Sequence, residues 1–240
     1  MKNRDVFQVN EKYHQWLTQM GLMSFEQLMF NDIGCKIDNR VRRIEGCGKV
    51  VYLKRQFNTS IYKSIEKYLQ GQYPHSKGFN EYTHIRFLQQ AQMPVMDPIA
   101  TGERRKLGFP RCGFILVEEV KGVLLDKCLN ELSIEAQKTA LLQAFGRLLA
   151  RLHQNGFYAS LRFKDIIVTD VNESSLVMID RETRRIYPRY YQKIKAKISL
   201  NKSLHRIKRT FRAFDDHYMN IILEAYKSVS LPGRDEAVNR

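Results

Sequence analysis

Four residues along this chain could do chemistry together. Lys54 closes the β-prone run VVYLKRQF, and Glu81 lies on the helical segment that follows. Asp165 and Asp180 bracket two apolar bursts, Ile166 to Val168 and Leu176 to Ile179, separated by the polar stretch VNESS. An ammonium, an acid to hold it and a pair of carboxylates for a hard divalent cation suit phosphoryl transfer, a reaction catalysed mainly by positioning and electrostatics.

Each residue alone has a plainer reading. A lysine at a strand end is ordinarily solvated, and an acid early in a helix is favoured by the helix dipole. Two loop aspartates can be unrelated. Their order is what argues, together with the elements that would position them. Glu81, Ile85 and Leu88 fall at i, i+4 and i+7 of a helix expected from about Asn80 to Ala91, so the acid shares the apolar face and needs a partner there. Lys54 is an available one. The two apolar bursts read as a hairpin that brings Asp165 and Asp180 together.

The segment LHQNGFYASLRFKDIIV has a helix ending in Leu-His, a glycine and a loop leading into an apolar strand. The kinase catalytic loop, H-R-D-L-x-x-x-N before a strand, has this form. Aligned on Leu161, Tyr158 takes the histidine position, Ser160 that of the catalytic aspartate and Asp165 that of the metal-binding asparagine. Serine is a poor base without an activating partner. Asp180 follows the second strand where the D-F-G aspartate would sit, but Arg181 and Glu182 replace the rest of that triplet. No G-x-G-x-x-G occurs, and RRIEGCGKV is the candidate phosphate cover.

The remaining elements frame these residues. The first 30 residues read as short amphipathic helices, with Trp16, Leu17 and Met20 and then Phe25, Leu28 and Met29 at helical spacing. Cys35 to Phe57 reads as two strands with a turn near Glu45 to Gly48, and Tyr73 to Gly78 as a loop. Met93 to Thr101 reads as loop then strand, and FILVEEV as a strand. Ser133 is expected to cap a strong helix with Leu141, Phe145, Leu148, Leu149 and Leu152 on one stripe and Gly156 past its end. Tyr190 to Val229 reads as helical and basic.

Of 240 residues, 43% are hydrophobic, which is enough for a core. The net charge of +15 calls for an anionic partner. Most of it lies between Arg181 and Arg212, where twelve Lys and Arg face Glu182 alone. Cys35, Cys47, Cys112 and Cys128 have no C-x-x-C spacing and read as reduced thiols. The N-terminus lacks a signal-peptide core, and no apolar run reaches the ~20 residues of a membrane span. The protein is therefore expected on the cytoplasmic side, soluble or attached to a surface.

From about Val50 to Val229 the chain resembles the lipopolysaccharide core kinases, the Kdo/heptose kinase (WaaP/InaA-like) group. NEYTHIRFLQQAQMPVMDPIATGERR carries the likeness most specifically. GFILVEEVKG resembles the hinge strand, LARLHQNGFYASLRFKDIIV the catalytic loop and LVMIDRETRR the metal loop. IYPRYYQKIK and the helix FDDHYMNIILEAY also fit. Toluene-tolerance-type relatives have a similar Ser-Leu in the catalytic loop.

The resemblance implies an α+β, bilobal protein-kinase-like fold. A small β-rich N-lobe would span 1–119, a mostly helical C-lobe 120–230 and a tail 231–240. It implies ATP and Mg²⁺ as cofactors. The acceptor would be a Kdo or heptose sugar of the lipopolysaccharide inner core, at the cytoplasmic face of the inner membrane. Lys54 would hold phosphates, Glu81 would orient Lys54, Asp165 and Asp180 would bind metal, and Glu118 and Glu119 would lie at the adenine hinge.

Three readings stay open: an active sugar kinase whose basic segment meets anionic glycolipid or an anionic membrane surface, a nucleotide-binding pseudokinase in envelope maintenance, and an RNA-associated protein. Tyr187, Tyr190, Tyr191 and Phe211 could stack on bases. A solvated basic helical face is nevertheless favoured over nucleic-acid binding.

Overall fold

The computed structural model describes residues 4–69, 71, 73–179 and 187–229. Its contacts divide the chain into two compact units, Met1–Gln89 with Met96–Glu119, and Gln90–Val95 with Val120–Arg240.

The first unit is built on an antiparallel sheet. In chain order it contains β1 (Arg4–Val9), a 3₁₀ turn (Glu11–Tyr13), α1 (His14–Gln19), α2 (Phe25–Phe30), β2 (Cys35–Lys36), β3 (Val41–Gly46), β4 (Lys49–Gln56), α3 (Ile61–Leu69), α4 (Lys77–Gln90), β5 (Pro98–Lys106) and β6 (Phe109–Glu118). The strand order is β1-β5-β6-β4-β3-β2. The strand period of two sorts β4 by face. Val51 and Leu53 join Phe114 and Leu116 in the core under Trp16, Leu17, Phe25, Leu28 and Met29. Arg55, buried on this face, donates to the α2 carbonyls Leu28 O at 2.8 Å and Asn31 O at 2.7 Å, which satisfies groups the helix end leaves open. Lys54 alternates to the opposite face.

Several expectations are corrected here. The N-terminal 30 residues do not begin as helix: RDVFQV forms β1, paired along its length with β5. Its half-buried Val6, Phe7 and Val9 gain more from sheet pairing, and Phe7 packs 6.1 Å from Phe114. The Cys35–Phe57 segment makes three strands rather than two. The helix bearing Glu81 starts at Lys77, inside the stretch read as loop.

The second unit holds β7 (Val123–Leu124), α5 (Leu125–Glu131), α6 (Glu135–Gln154), β8 (Ile166–Asp170), β9 (Ser175–Met178), α7 (Arg189–Thr210) and α8 (Asp216–Ser228). The strands form an antiparallel sheet in the order β7-β8-β9, and β8 and β9 are the expected hairpin. The whole apolar stripe of α6 is buried. At Gly146 a Cβ would come within 2.5 Å of Ile222 O, so only glycine lets α8 cross this closely. Ser133 does not cap α6. Ile134 holds that position with no side-chain bond, so the buried stripe rather than a cap sustains the helix. Among the described residues no helix is long and apolar enough to cross a membrane.

Candidate active site

Within the first unit, Lys54 lies between Val41 of β3 and Ile115 of β6. Helix α4 begins directly on β6: a Cβ at Gly78 would meet the Phe114 carbonyl carbon at 2.5 Å. Any larger residue would lift the first turn off the strand. One turn on, Glu81 is 2% exposed, and Lys54 Nζ donates to its Oε1 at 2.8 Å. The expected pair is formed. Lys54 stays about a third exposed (31%), so its ammonium can still meet a second anion.

The start of α4 is anchored by a network that the sequence reading did not single out. Ser76 Oγ accepts from the Phe79 amide at 3.3 Å, and the Ser76 amide donates to Glu103 Oε2 at 2.7 Å. The other Glu103 oxygen meets His75 Nδ1 at 2.9 Å and the Arg105 guanidinium. Arg105 also donates to Pro74 O at 2.6 Å and Gly108 O at 2.8 Å. Burial raises the Glu103 pKa, but the hydrogen bonds from His75 and the Ser76 amide and the Arg105 charge outweigh it and hold the carboxyl below its ordinary range. The only sequence signal was that Glu103 and Arg105, two apart on β5, share one face.

At the end of β6, Lys49 pairs with Glu118, and Tyr52 Oη donates to Glu119 Oε1 at 2.8 Å. Tyr13 Oη sits 2.5 Å from Glu118 and 2.8 Å from Asp97. These side chains tie the Glu118–Glu119 segment to the sheet, and so does its backbone: the Glu118 amide donates to Asp97 O and the Glu119 amide to Val50 O, both at 2.9 Å. RRIEGCGKV is a β3–β4 hairpin whose turn residues Cys47 and Gly48 have φ of 47° and 73°. It is a tight two-residue turn rather than an open glycine loop.

In the second unit, α6 leads into the segment that resembles a kinase catalytic loop. His153, near its end, is buried, with Nδ1 2.7 Å from Tyr226 Oη and Nε2 2.9 Å from Ser199 Oγ. It is a structural histidine, and Tyr158, at the motif histidine position, stacks on it at 5.7 Å. The backbone of the loop is held by a bond from the Leu161 amide to Ser203 Oγ at 3.0 Å. Ser160 Oγ accepts from Arg206 Nη1 at 2.6 Å.

Asp165 closes a 3₁₀ turn (Phe163–Asp165) and accepts from the Arg162 amide at 3.1 Å, Nε at 2.9 Å and Nη2 at 2.6 Å. Its own carbonyl accepts from the Ile179 amide at 3.1 Å, so the hairpin brings these two backbones together. Asp180 and the first part of the basic run lie outside the described residues. Arg162 and Arg206 escaped the sequence reading, hidden among many basic residues.

The donor set can be tested against the cofactors that the kinase motifs imply. A partly exposed ammonium braced on a buried carboxylate fits nucleotide phosphates. Mg²⁺ keeps several waters and takes one or two carboxylates. Asp165 can serve as one such ligand, sharing with or displacing Arg162. Among the described residues no cluster of three His, Cys, Asp or Glu side chains is poised for a metal.

The family model described as the lipopolysaccharide kinase (Kdo/WaaP) family matches residues 36–226. Two curated 3-deoxy-D-manno-octulosonic acid kinases of Stenotrophomonas maltophilia, strains K279a and R551-3, are 30% and 29% identical over 124 residues. That stretch is 51% of this chain and 48% of each relative, so the chain spans about half the length of the curated relatives it matches. The solved structure of WaaP in complex with acyl carrier protein superposes with a TM-score of 0.64, covering 94% of this chain and 90% of that one at 17% identity. The fold class read from sequence, mixed α and β and protein-kinase-like, is borne out.

Proposed function

The chain belongs to the lipopolysaccharide kinase (Kdo/WaaP) family, and from that premise we propose that it transfers the γ-phosphoryl group of ATP to a hydroxyl of Kdo or heptose in the lipopolysaccharide inner core. The observation that carries this reading is the Lys54–Glu81 ion pair at 2.8 Å, formed on the strand and helix where a kinase needs it. In this reading an N-lobe of residues 1–119 and a C-lobe of residues 120–230 correspond to the two units, except that Gln90–Val95 groups with the second.

Each residue has a part. Lys54 binds nucleotide phosphates, and Glu81 fixes the direction of its ammonium. Glu118 and Glu119 lie at the adenine hinge. Asp165, with Asp180 as its partner, holds Mg²⁺, which when bound would neutralise phosphate charge. Ser160 replaces the usual catalytic aspartate, and Arg206 beside it supplies positive charge instead of a base. Because positioning and electrostatics dominate this reaction, the missing base, worth about 10²–10⁴-fold, slows it without abolishing it. The basic α7 face attaches the protein to the anionic cytoplasmic leaflet where the lipid acceptor resides, each charge contributing roughly 1 kcal/mol near the surface.

The test is direct. The full chain is incubated with Mg-ATP and a Kdo-bearing lipid A acceptor, and the acceptor is analysed by mass spectrometry. Phosphorylated acceptor with the parent protein and none with Lys54→Met supports the proposal; no product above the Lys54→Met level refutes it.

The Ser160–Arg206 contact favours a second reading, a nucleotide-binding protein of the envelope without turnover. A thermal shift on adding Mg-ATP, together with no product, would select it, since a ligand that binds only the folded state raises stability.

A further inference from the structure

The second unit contains a pocket that none of the roles above uses. It has a volume of about 320 Å³ and lies between the catalytic-loop segment and α7. This is at the small end of ligand cavities, roughly 300–1,000 Å³, and suits a single sugar ring better than a nucleotide. We propose that this pocket binds an anionic pyranose, its carboxylate or phosphate held by Lys195 and Lys202 and its ring laid against Tyr158 and Tyr187, and so selects the acceptor. The assignment of the bound sugar as acceptor rests on the kinase reading; the binding itself does not.

Charge comes first. Lys195 and Lys202 line the pocket two turns apart on α7, and no Asp or Glu lines it among the described residues. Helix α7 has no acid anywhere in its 22 residues. Neither lysine is ion-paired within the described residues, and the nearby loop acid, Asp165, is engaged by Arg162. Two ammonium groups facing one concavity repel each other until an anion enters, so the pocket is electrostatically incomplete when empty.

The walls add shape. Tyr158 and Tyr187 pack 5.6 Å apart at an interplanar angle of 54°. Lys195 Nζ is held over the Tyr187 and Tyr191 rings at 5.3 and 4.7 Å, which fixes the ammonium without neutralising it. Tyr158 is itself braced on buried His153, and Ser199 in the pocket lining bonds to the same imidazole. The aromatic wall is therefore rigid, and tyrosine offers both an apolar face for sugar C–H groups and a hydroxyl for their oxygens.

Location supplies the link to chemistry. Ala159 lines the pocket and directly precedes Ser160. A sugar bound here lies beside the loop where an attacking hydroxyl is oriented in kinase-like catalysis.

The experiment is calorimetric titration of the full chain, without nucleotide, using four probes: free octulosonate, its methyl ester, mannose 6-phosphate and mannose. At least one anionic probe should bind about tenfold or more tightly than its neutral counterpart, as expected for a charge-assisted contact. Preference for octulosonate identifies a carboxylate as the anion, and preference for the phosphate sugar identifies a phosphate. Lys195→Gln and Lys202→Gln should each weaken that probe about tenfold, and Lys202→Arg should restore it. Lys193→Gln, exposed on the same helix and outside the pocket, should leave the affinity for that probe unchanged.

Equal binding of charged and neutral probes would overturn the proposal, as would unchanged affinity in the Lys195 and Lys202 variants. An equal loss in Lys193→Gln would overturn it too, because it would indicate diffuse attraction. The same samples assayed for phosphoryl transfer keep the two ideas apart. Sugar binding with no turnover leaves the pocket standing and sinks the kinase reading; turnover unaffected in the Lys195 and Lys202 variants does the reverse.

Discussion

The Lys54–Glu81 pair of the first unit and the Ser160–Asp165 loop of the second handle charge in opposite ways. In the first, a buried acid holds a cation that keeps about a third of its side-chain surface exposed. In the second, arginines hold the polar groups: Arg162 covers Asp165 with both its backbone amide and its guanidinium, and Arg206 donates to Ser160. In the proposed reading, the first is a cation prepared for phosphate. The other is a loop whose candidate base is gone and whose candidate ligand is already engaged. In the proposed kinase reading, the residues assigned to the nucleotide carry the charges that role needs, while the loop assigned to the acceptor is built around positive charge.

Variants at each site can break this contrast. The largest effect is expected at Lys54: replacement by methionine should lower phosphoryl transfer by about 10²–10³-fold, the scale for removing one electrostatic contact to a transition state. A loss under tenfold would mean the pair is only structural.

Glu103 comes next. Glu103→Gln removes a buried partner of Arg105 and the Ser76 amide and should cost about 3 kcal/mol in denaturant unfolding. The same change should flatten the acid side of the pH profile. Glu103, Asp97 and Glu118 all have depressed pKa values in the fold. Each contributes stability above its unfolded pKa of about 4, and that contribution is lost as pH falls through the lower folded value. Melting temperature should therefore drop on acidification below about pH 4, and less steeply in Glu103→Gln.

In the second unit, His153→Phe leaves buried Tyr226 and Ser199 without their imidazole partner and should cost about 1–3 kcal/mol by chemical denaturation. A smaller effect is expected from Ser160→Asp. Arg206 would pair with the new carboxylate, so the rate should rise far less than the roughly 10²–10⁴-fold of a free general base. A gain of that full size would show that the loop lacks only its base.

The parts of this arrangement differ in how readable they were. Lys54 and Glu81 were legible because two local periods, strand alternation and the helix face, point them at each other. The β8–β9 hairpin and the α6 stripe were legible for the same reason. Strand β1 was not: its partner residues on β5 lie 91 to 101 positions away, and pairing at that distance leaves no local mark. The Glu103–Arg105–His75 network reads in sequence as a solvated polar stretch, and only burial of β5 makes it an anchor. Ser133 was a good cap in composition, but the chain places Ile134 there. Arg162 and Arg206 look like any other basic residue until the fold sets them against Asp165 and Ser160.

The claim that Lys54 and Glu81 act as one device is tested most directly by a double-mutant cycle on phosphoryl transfer, using Lys54→Met, Glu81→Gln and both together. Groups that work as a unit are strongly non-additive, so the double variant should be about as slow as Lys54→Met alone. Losses that simply multiply would mean the two side chains act independently, and would contradict the account.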